Sequence, residues 1–213
     1  METSELIKRA TVSKNTKVGV MLDKSGDIQV IAGTKSFNNS FCCNSYDKDF
    51  NLTNYITFSQ DFRNCERVHL DLIETADGFF GKGIGSNAFV FSEFLIKDKP
   101  FSYINGIFTP RQIEEKNSLN LEQEDFLKMA KRFYQKNSFE LITLEDFLKN
   151  PEKYPMFCEK NFKGSKNTVL ILLLKKLSKD KEMKDFDFKN INGVFVKDNV
   201  PEQILEEIDC MQM

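Results

Sequence analysis

The sequence predicts an α+β fold, with a mainly antiparallel sheet from the N-terminal half packed against helices of the C-terminal half. Three observations lead there. Short segments with strand alternation and turn signals fill residues 17–109. Helical periodicity is concentrated after Pro110. The two kinds of element are segregated along the chain instead of alternating as a βαβ series does. The 213 residues suffice for one large core. The chain is read as a single domain, 1–213, with any subdivision falling near 110–120.

The first element is a hairpin. Lys17 to Leu22 forms one arm, Asp23-Lys24-Ser25-Gly26 the turn, and Asp27 to Ile31 the other arm, with Gly26 supplying a positive φ. Gly33 to Asp49 is polar and reads as a loop that holds the Cys42-Cys43 pair. Tyr55 to Phe58 and Val68 to Leu72 read as strands; in the second, Val68, Leu70 and Leu72 share one face and His69 and Asp71 the other. A glycine-rich stretch, Gly78 to Asn87, leads into Ala88 to Ile96, which is apolar and aromatic enough for a buried strand. Phe101 to Thr109 reads as a second hairpin turning at Asn105-Gly106.

Helices follow. Asn120 can cap a helix over Leu121 to Lys136, with Gln123 in the capping-box position and Phe126, Met129, Ala130, Phe133 and Tyr134 at helical spacing. Thr143 caps a short helix that runs through Lys149 and stops before Pro151. Thr168 to Lys179 suits a buried strand or a buried helix, and its leucines favour helix. Gly193 to Lys197 reads as a late strand, and Asn199 caps a last helix with Pro201 in its first turn.

The charge balance is even, 30 basic against 32 acidic residues for a net −2, which argues against a dedicated nucleic-acid coat. Only Arg9, Arg63, Arg67, Arg111 and Arg132 offer a guanidinium, so most cations are lysines on a solvated surface. The odd set of cysteines, Cys42, Cys43, Cys65, Cys158 and Cys210, has no Cys-x-x-Cys spacing. The opening Met1-Glu2-Thr3-Ser4-Glu5 lacks the order of a secretory signal. Free thiols in a cytoplasmic protein are expected. The longest apolar run, Val169 to Leu174, falls far short of the ~20 residues of a membrane span, so no membrane partner is expected.

The glycine cluster is the strongest candidate for chemistry. Gly81, Lys82, Gly83, Gly85, Ser86 and Asn87 could bring backbone N–H groups and a cation to an anion. The spacing is neither a P-loop, because Lys82 precedes the last glycines, nor a dinucleotide fingerprint, because Gly-x-Gly-x-Gly replaces Gly-x-Gly-x-x-Gly. A flexible turn between two strands is the expected structure, and a phosphate or nucleotide loop the alternative. Asp71, Glu74, Asp77 and Glu93 are weak candidates for Mg²⁺, and a solvated strand edge is the plainer reading. His69, the single histidine, excludes a multi-histidine zinc site within one chain and reads as a half-buried strand residue. The 21 phenylalanines, among them Phe79, Phe80, Phe89, Phe91 and Phe94, read as core and not as a base-stacking platform.

No catalytic residue is identified. The expected function is a cytosolic, non-catalytic binding protein without a cofactor, a regulator or inhibitor whose partner is another protein. The alternatives are a phosphate- or nucleotide-binding enzyme using Gly81 to Asn87 with Mg²⁺, and a nucleic-acid binder, which the charge does not favour.

Overall fold

The computed structural model describes residues 1–35, 40–60, 66–108, 123–165, 170–177 and 187–211. The predicted fold class is borne out: five α-helices accompany ten strands among the described residues. The chain divides into two compact units. One comprises Met1–Gln60, Asp71–Lys99 and Ser178–Met213, the other Asp61–Leu70 and Pro100–Leu177.

In the first unit the strands are β1 (Lys17–Leu22), β2 (Ile28–Lys35), β3 (Phe41–Tyr46), β4 (Leu52–Gln60), the end of β5 (Arg67–Thr75), β9 (Phe188–Ile191) and β10 (Val194–Lys197). Their order is β9-β10-β1-β2-β3-β4-β5. β1, β2, β3 and β4 form an antiparallel meander, whereas β10 lies parallel to β1. One apolar cluster joins Val18, Val20, Val30 and Ala32 of the meander to Val194 and Val196. Helix α1 (Thr3–Ala10) adds Leu6, Ile7 and Ala10 to it, and helix α5 (Glu202–Asp209) adds Ile208. These residues alternate along the strands, so all of them point to one face of the sheet.

Residues turned to the other side meet α2 (Ile84–Ile96). Phe89 packs against Phe58 with centroids 5.9 Å apart, and Phe94 lies 4.6 Å from Phe188 and 4.9 Å from Phe195. Phe91, fully buried, comes down onto a strand position that has no side chain: a Cβ on Gly19 would sit 2.6 Å from its ring.

The second unit orders β7 (Glu140–Thr143), β8 (Ile171–Lys176), β6 (Tyr103–Phe108) and the start of β5. β6 is parallel to β5 over Arg67–Leu70 and Tyr103–Gly106, and antiparallel to β8. Helices α3 (Gln123–Lys136) and α4 (Leu144–Lys149) belong to this unit. Phe147 of α4 is fully buried, with Phe157 and Phe162 edge-on at 5.9 and 5.6 Å. Thr143 caps α4 as its sequence predicts, its Oγ1 accepting from the Asp146 N–H at 3.1 Å.

Several expectations are corrected. Residues 88–96 form the body of α2 and not a strand; Ile84, Ala88, Phe91, Ser92 and Ile96 recur at helical spacing and are buried. The Asn105-Gly106 pair is mid-strand in β6, between β5 and β8, where Leu70 and Leu173 approach Gly106. Residues 171–176 form strand β8 and not a helix, since pairing with both β6 and β7 explains an unbroken apolar run. Strands β2 and β3 extend into the expected loop, and both Cys42 and Cys43 are strand residues. Pro201, not Asn199, is the cap residue of α5, with no side-chain hydrogen bond. Helix α1 was not expected. The expected cap Asn120 and the first residues of the 121–136 helix lie outside the described residues, as do Thr109 of the expected second hairpin and residues 168, 169, 178 and 179 of the 168–179 segment.

Gly19→Ala should destabilise the first unit by about 1–3 kcal/mol, because a buried ring blocks the new methyl group. Denaturant unfolding checks this: an unchanged midpoint would mean that Phe91 has room to move.

Candidate functional site: a glycine loop at a helix N-terminus

Strand β5 ends at Thr75, and the loop that follows is pinned at its start, where the Ala76 N–H donates to Thr53 O at 3.0 Å. The chain then passes through Gly78, Gly81 and Gly83, at φ of 81°, 79° and 85°. Side chains other than glycine are strained in that left-handed region. Helix α2 starts at Ile84 with Gly83 as its cap residue, which makes no side-chain cap hydrogen bond, and no acid occupies the first turn. The first turn of a helix carries N–H groups without intrahelical acceptors and the positive end of the helix dipole. The element order is therefore strand, glycine loop, helix, the context in which glycines serve anion binding. This corrects the expected turn between two strands.

Two cations flank the loop. The Lys82 ammonium lies 4.9 Å from the centroid of the Phe79 ring. Lys24, in the turn between β1 and β2, donates from Nζ to Gly81 O at 3.1 Å and from its backbone N–H to Lys82 O at 2.9 Å. Asn87, one turn into α2, donates from Nδ2 to Leu22 O at 2.8 Å. Of the predicted loop residues, Gly81 is exposed, Lys82, Gly83, Ser86 and Asn87 are half-buried, and Gly85 is buried in the first turn of α2. Lys24 was not singled out from the sequence. Its part depends on a contact 57 residues away in the chain, which no local pattern announces.

The predicted carboxylates sit apart in role. Asp71 is exposed and accepts from Ser59 Oγ at 2.7 Å, Glu74 and Asp77 are exposed, and Glu93 is buried on α2. Among the described residues no group of three or more His, Cys, Asp or Glu side chains is arranged to hold a metal ion. His69 is half-buried on β5 between buried Val68 and Leu70.

On the sheet face away from α2, Cys42 pairs across strands with Thr57, and Asn44 with Tyr55. Thr34 Oγ1 and Cys42 Sγ share a hydrogen bond of 2.9 Å, and Asn44 Nδ2 donates to Tyr46 OH at 3.2 Å. The buried Asn44 Oδ1 has no hydrogen-bond partner among the described residues. Burial, with Cys42 and Asp71 nearby, pushes the Tyr55 phenol up. Cys43 points the other way, toward Ser92 of α2, and burial pushes its thiol up to about 12.

No protein-family model matches the sequence, and no curated protein matches it. Solved structures do. A GNAT-family acetyltransferase from Staphylococcus aureus aligns at 13% identity and a TM-score of 0.44, over 66% of this chain and 70% of that one. One from Streptococcus pneumoniae gives 13%, 0.42, 67% and 70%. One from Elizabethkingia anophelis, with acetyl-CoA bound, gives 15%, 0.39, 65% and 76%. All three are described as acetyltransferases. These acetyltransferases stand against the expectation of a non-catalytic regulator or inhibitor acting through protein binding.

Among the described residues no helix is long and apolar enough to cross a membrane. Cys158 and Cys210 are exposed free thiols, and Cys43 is a buried one. Cys158 and Cys210 should react with an alkylating agent in the native protein, while Cys43 reacts only after denaturation. Peptide mass mapping reads this directly, and native labelling of Cys43 would contradict the burial of β3 against α2.

Proposed function

We propose that this chain is an acyltransferase using an acyl-coenzyme A donor, with the donor's diphosphate held on residues 78–83 and the N-terminus of α2. The observation that carries the reading is the loop itself. Gly81 and Gly83, both at positive φ, turn the backbone into a helix end whose cap residue is itself a glycine. Lys24 and Lys82 add positive charge beside it. A diphosphate presents several oxygens, and convergent N–H groups are the matching donors. The P-loop alternative is disfavoured because its lysine would have to follow the last glycine.

A coenzyme A thioester carries its diphosphate in the middle of a long molecule. Its acyl end therefore reaches well beyond the loop, along the strand that delivers the chain to it. The reaction asks the protein chiefly to hold donor and acceptor together and to steady the charge that builds on the thioester carbonyl oxygen. The acceptor's nucleophilic atom bonds to the carbonyl carbon, the C–S bond breaks, and the coenzyme thiol leaves with the acceptor's proton. In this reading the polar strip of Cys42, Asn44, Tyr55 and Thr57 lies on the acceptor's side. The reading is of a cytoplasmic enzyme, in keeping with its free thiols.

Acetyl-CoA at a hundredfold excess over its Kd should stabilise the protein by ~2.7 kcal/mol. The Gly81→Ala/Gly83→Ala variant should lose that stabilisation, since alanine in the left-handed region costs roughly 1–2 kcal/mol per residue and displaces the N–H groups. Thermal denaturation with acetyl-CoA, coenzyme A and ATP measures it. A shift with ATP and Mg²⁺ but none with either coenzyme would overturn the acyl-CoA reading.

A further inference from the structure

We infer that Lys24 is a positioning residue for the phosphate loop, acting from the β1–β2 turn without touching the ligand; the inference rests on the acyl-CoA reading above. Lys24 bonds two successive carbonyls of the loop, Gly81 O through its ammonium and Lys82 O through its backbone N–H. Peptide planes are rigid, so fixing a carbonyl fixes the N–H on the opposite edge of the same plane. The plane that carries Gly81 O carries the Lys82 N–H, and the plane that carries Lys82 O carries the Gly83 N–H. Holding both oxygens toward the turn thus aims both N–H groups away from it. These two donors lead directly into the start of α2, where the cap residue is Gly83.

The turn is built to hold that position. Asp23 is buried, and its Oδ1 accepts from the N–H groups of Ser25 at 2.8 Å and Asp27 at 3.0 Å. The Asp23 N–H closes the hairpin on Asp27 O at 2.9 Å. The side-chain bond from Asn87 to Leu22 O ties the same end of β1 to the first turn of α2. The stem of Lys24 lies over Gly83, where a Cβ would come within 3.2 Å of it. The lysine is thereby clamped at both ends, by its backbone and by its ammonium.

A loop set by Lys24 has a specific signature. Removing the ammonium should weaken every ligand held by its diphosphate by the same factor, whatever else that ligand carries. Calorimetric titration of the full chain with coenzyme A and, separately, with inorganic pyrophosphate tests this in the unaltered protein, Lys24→Met and Lys24→Arg. Lys24→Met should raise both dissociation constants by about tenfold, the scale of one charge-assisted hydrogen bond. Lys24→Arg, which can still donate to Gly81 O, should restore most of the loss. Unchanged affinities in Lys24→Met would overturn the inference. So would a loss confined to coenzyme A, because Lys24 would then contact another part of that ligand. If the unaltered chain binds neither probe, the acyl-CoA reading itself falls and this inference with it.

Discussion

Helix α2 lies close against the sheet of the first unit because β1 and β2 carry glycine beneath it. Phe91 occupies the space a side chain at Gly19 would need, and Leu95 does the same at Gly33, where a Cβ would fall 2.1 Å from its Cδ1. Burying a phenylalanine is worth about 1.5–3 kcal/mol, and here the gain depends on the strands having no Cβ to oppose it. The close approach fixes the height and rotation of α2, and with them the place where its first turn begins. The site's geometry is therefore inherited from packing that involves no site residue.

From that seat the functional features follow in sequence. The helix begins beside the β1–β2 turn, near enough for Asn87 to reach Leu22 and for Lys24 to reach the loop. Each such hydrogen bond contributes only about 0.5–1.5 kcal/mol to stability. Their larger effect is geometric, since they hold a glycine-rich segment that would otherwise sample many conformations. The same glycines that allow left-handed turns at residues 81 and 83 would leave an unsupported loop too mobile to organise an anion site. A tight hairpin on one side and a packed helix on the other supply the missing rigidity.

Much of the first sheet was legible in the sequence. The Lys17 to Ile31 hairpin is marked by its turn residues and β-branched arms, although both faces of its strands are buried, and the strands around Tyr55 and Val68 are marked by alternation. The cap at Thr143 was legible as well, being a local contact of three residues. Three elements misled for one reason. Ala88 to Ile96 is apolar on most of its faces and starts at a cap without a side chain, so neither amphipathic period nor capping residue marked it as a helix. Residues 171–176 are buried between two strands and read as a leucine-rich helix. Asn105-Gly106 carries a turn signature inside a strand flanked on both sides. In each, tertiary burial outweighed local propensity.

By itself the sequence determined the α+β class, the hairpin that starts the sheet, and a cluster of glycines with a lysine among them. These are properties of neighbouring residues, and local sterics and alternation suffice to set them. Only the tertiary structure decided that the cluster sits between a strand and a helix and that Lys24 meets it from another hairpin. Those outcomes come from contacts between segments distant along the chain. Whether Ala88 to Ile96 is strand or helix turns on what lies beneath Phe91, and that is a glycine some seventy residues earlier, which no local reading of the segment contains.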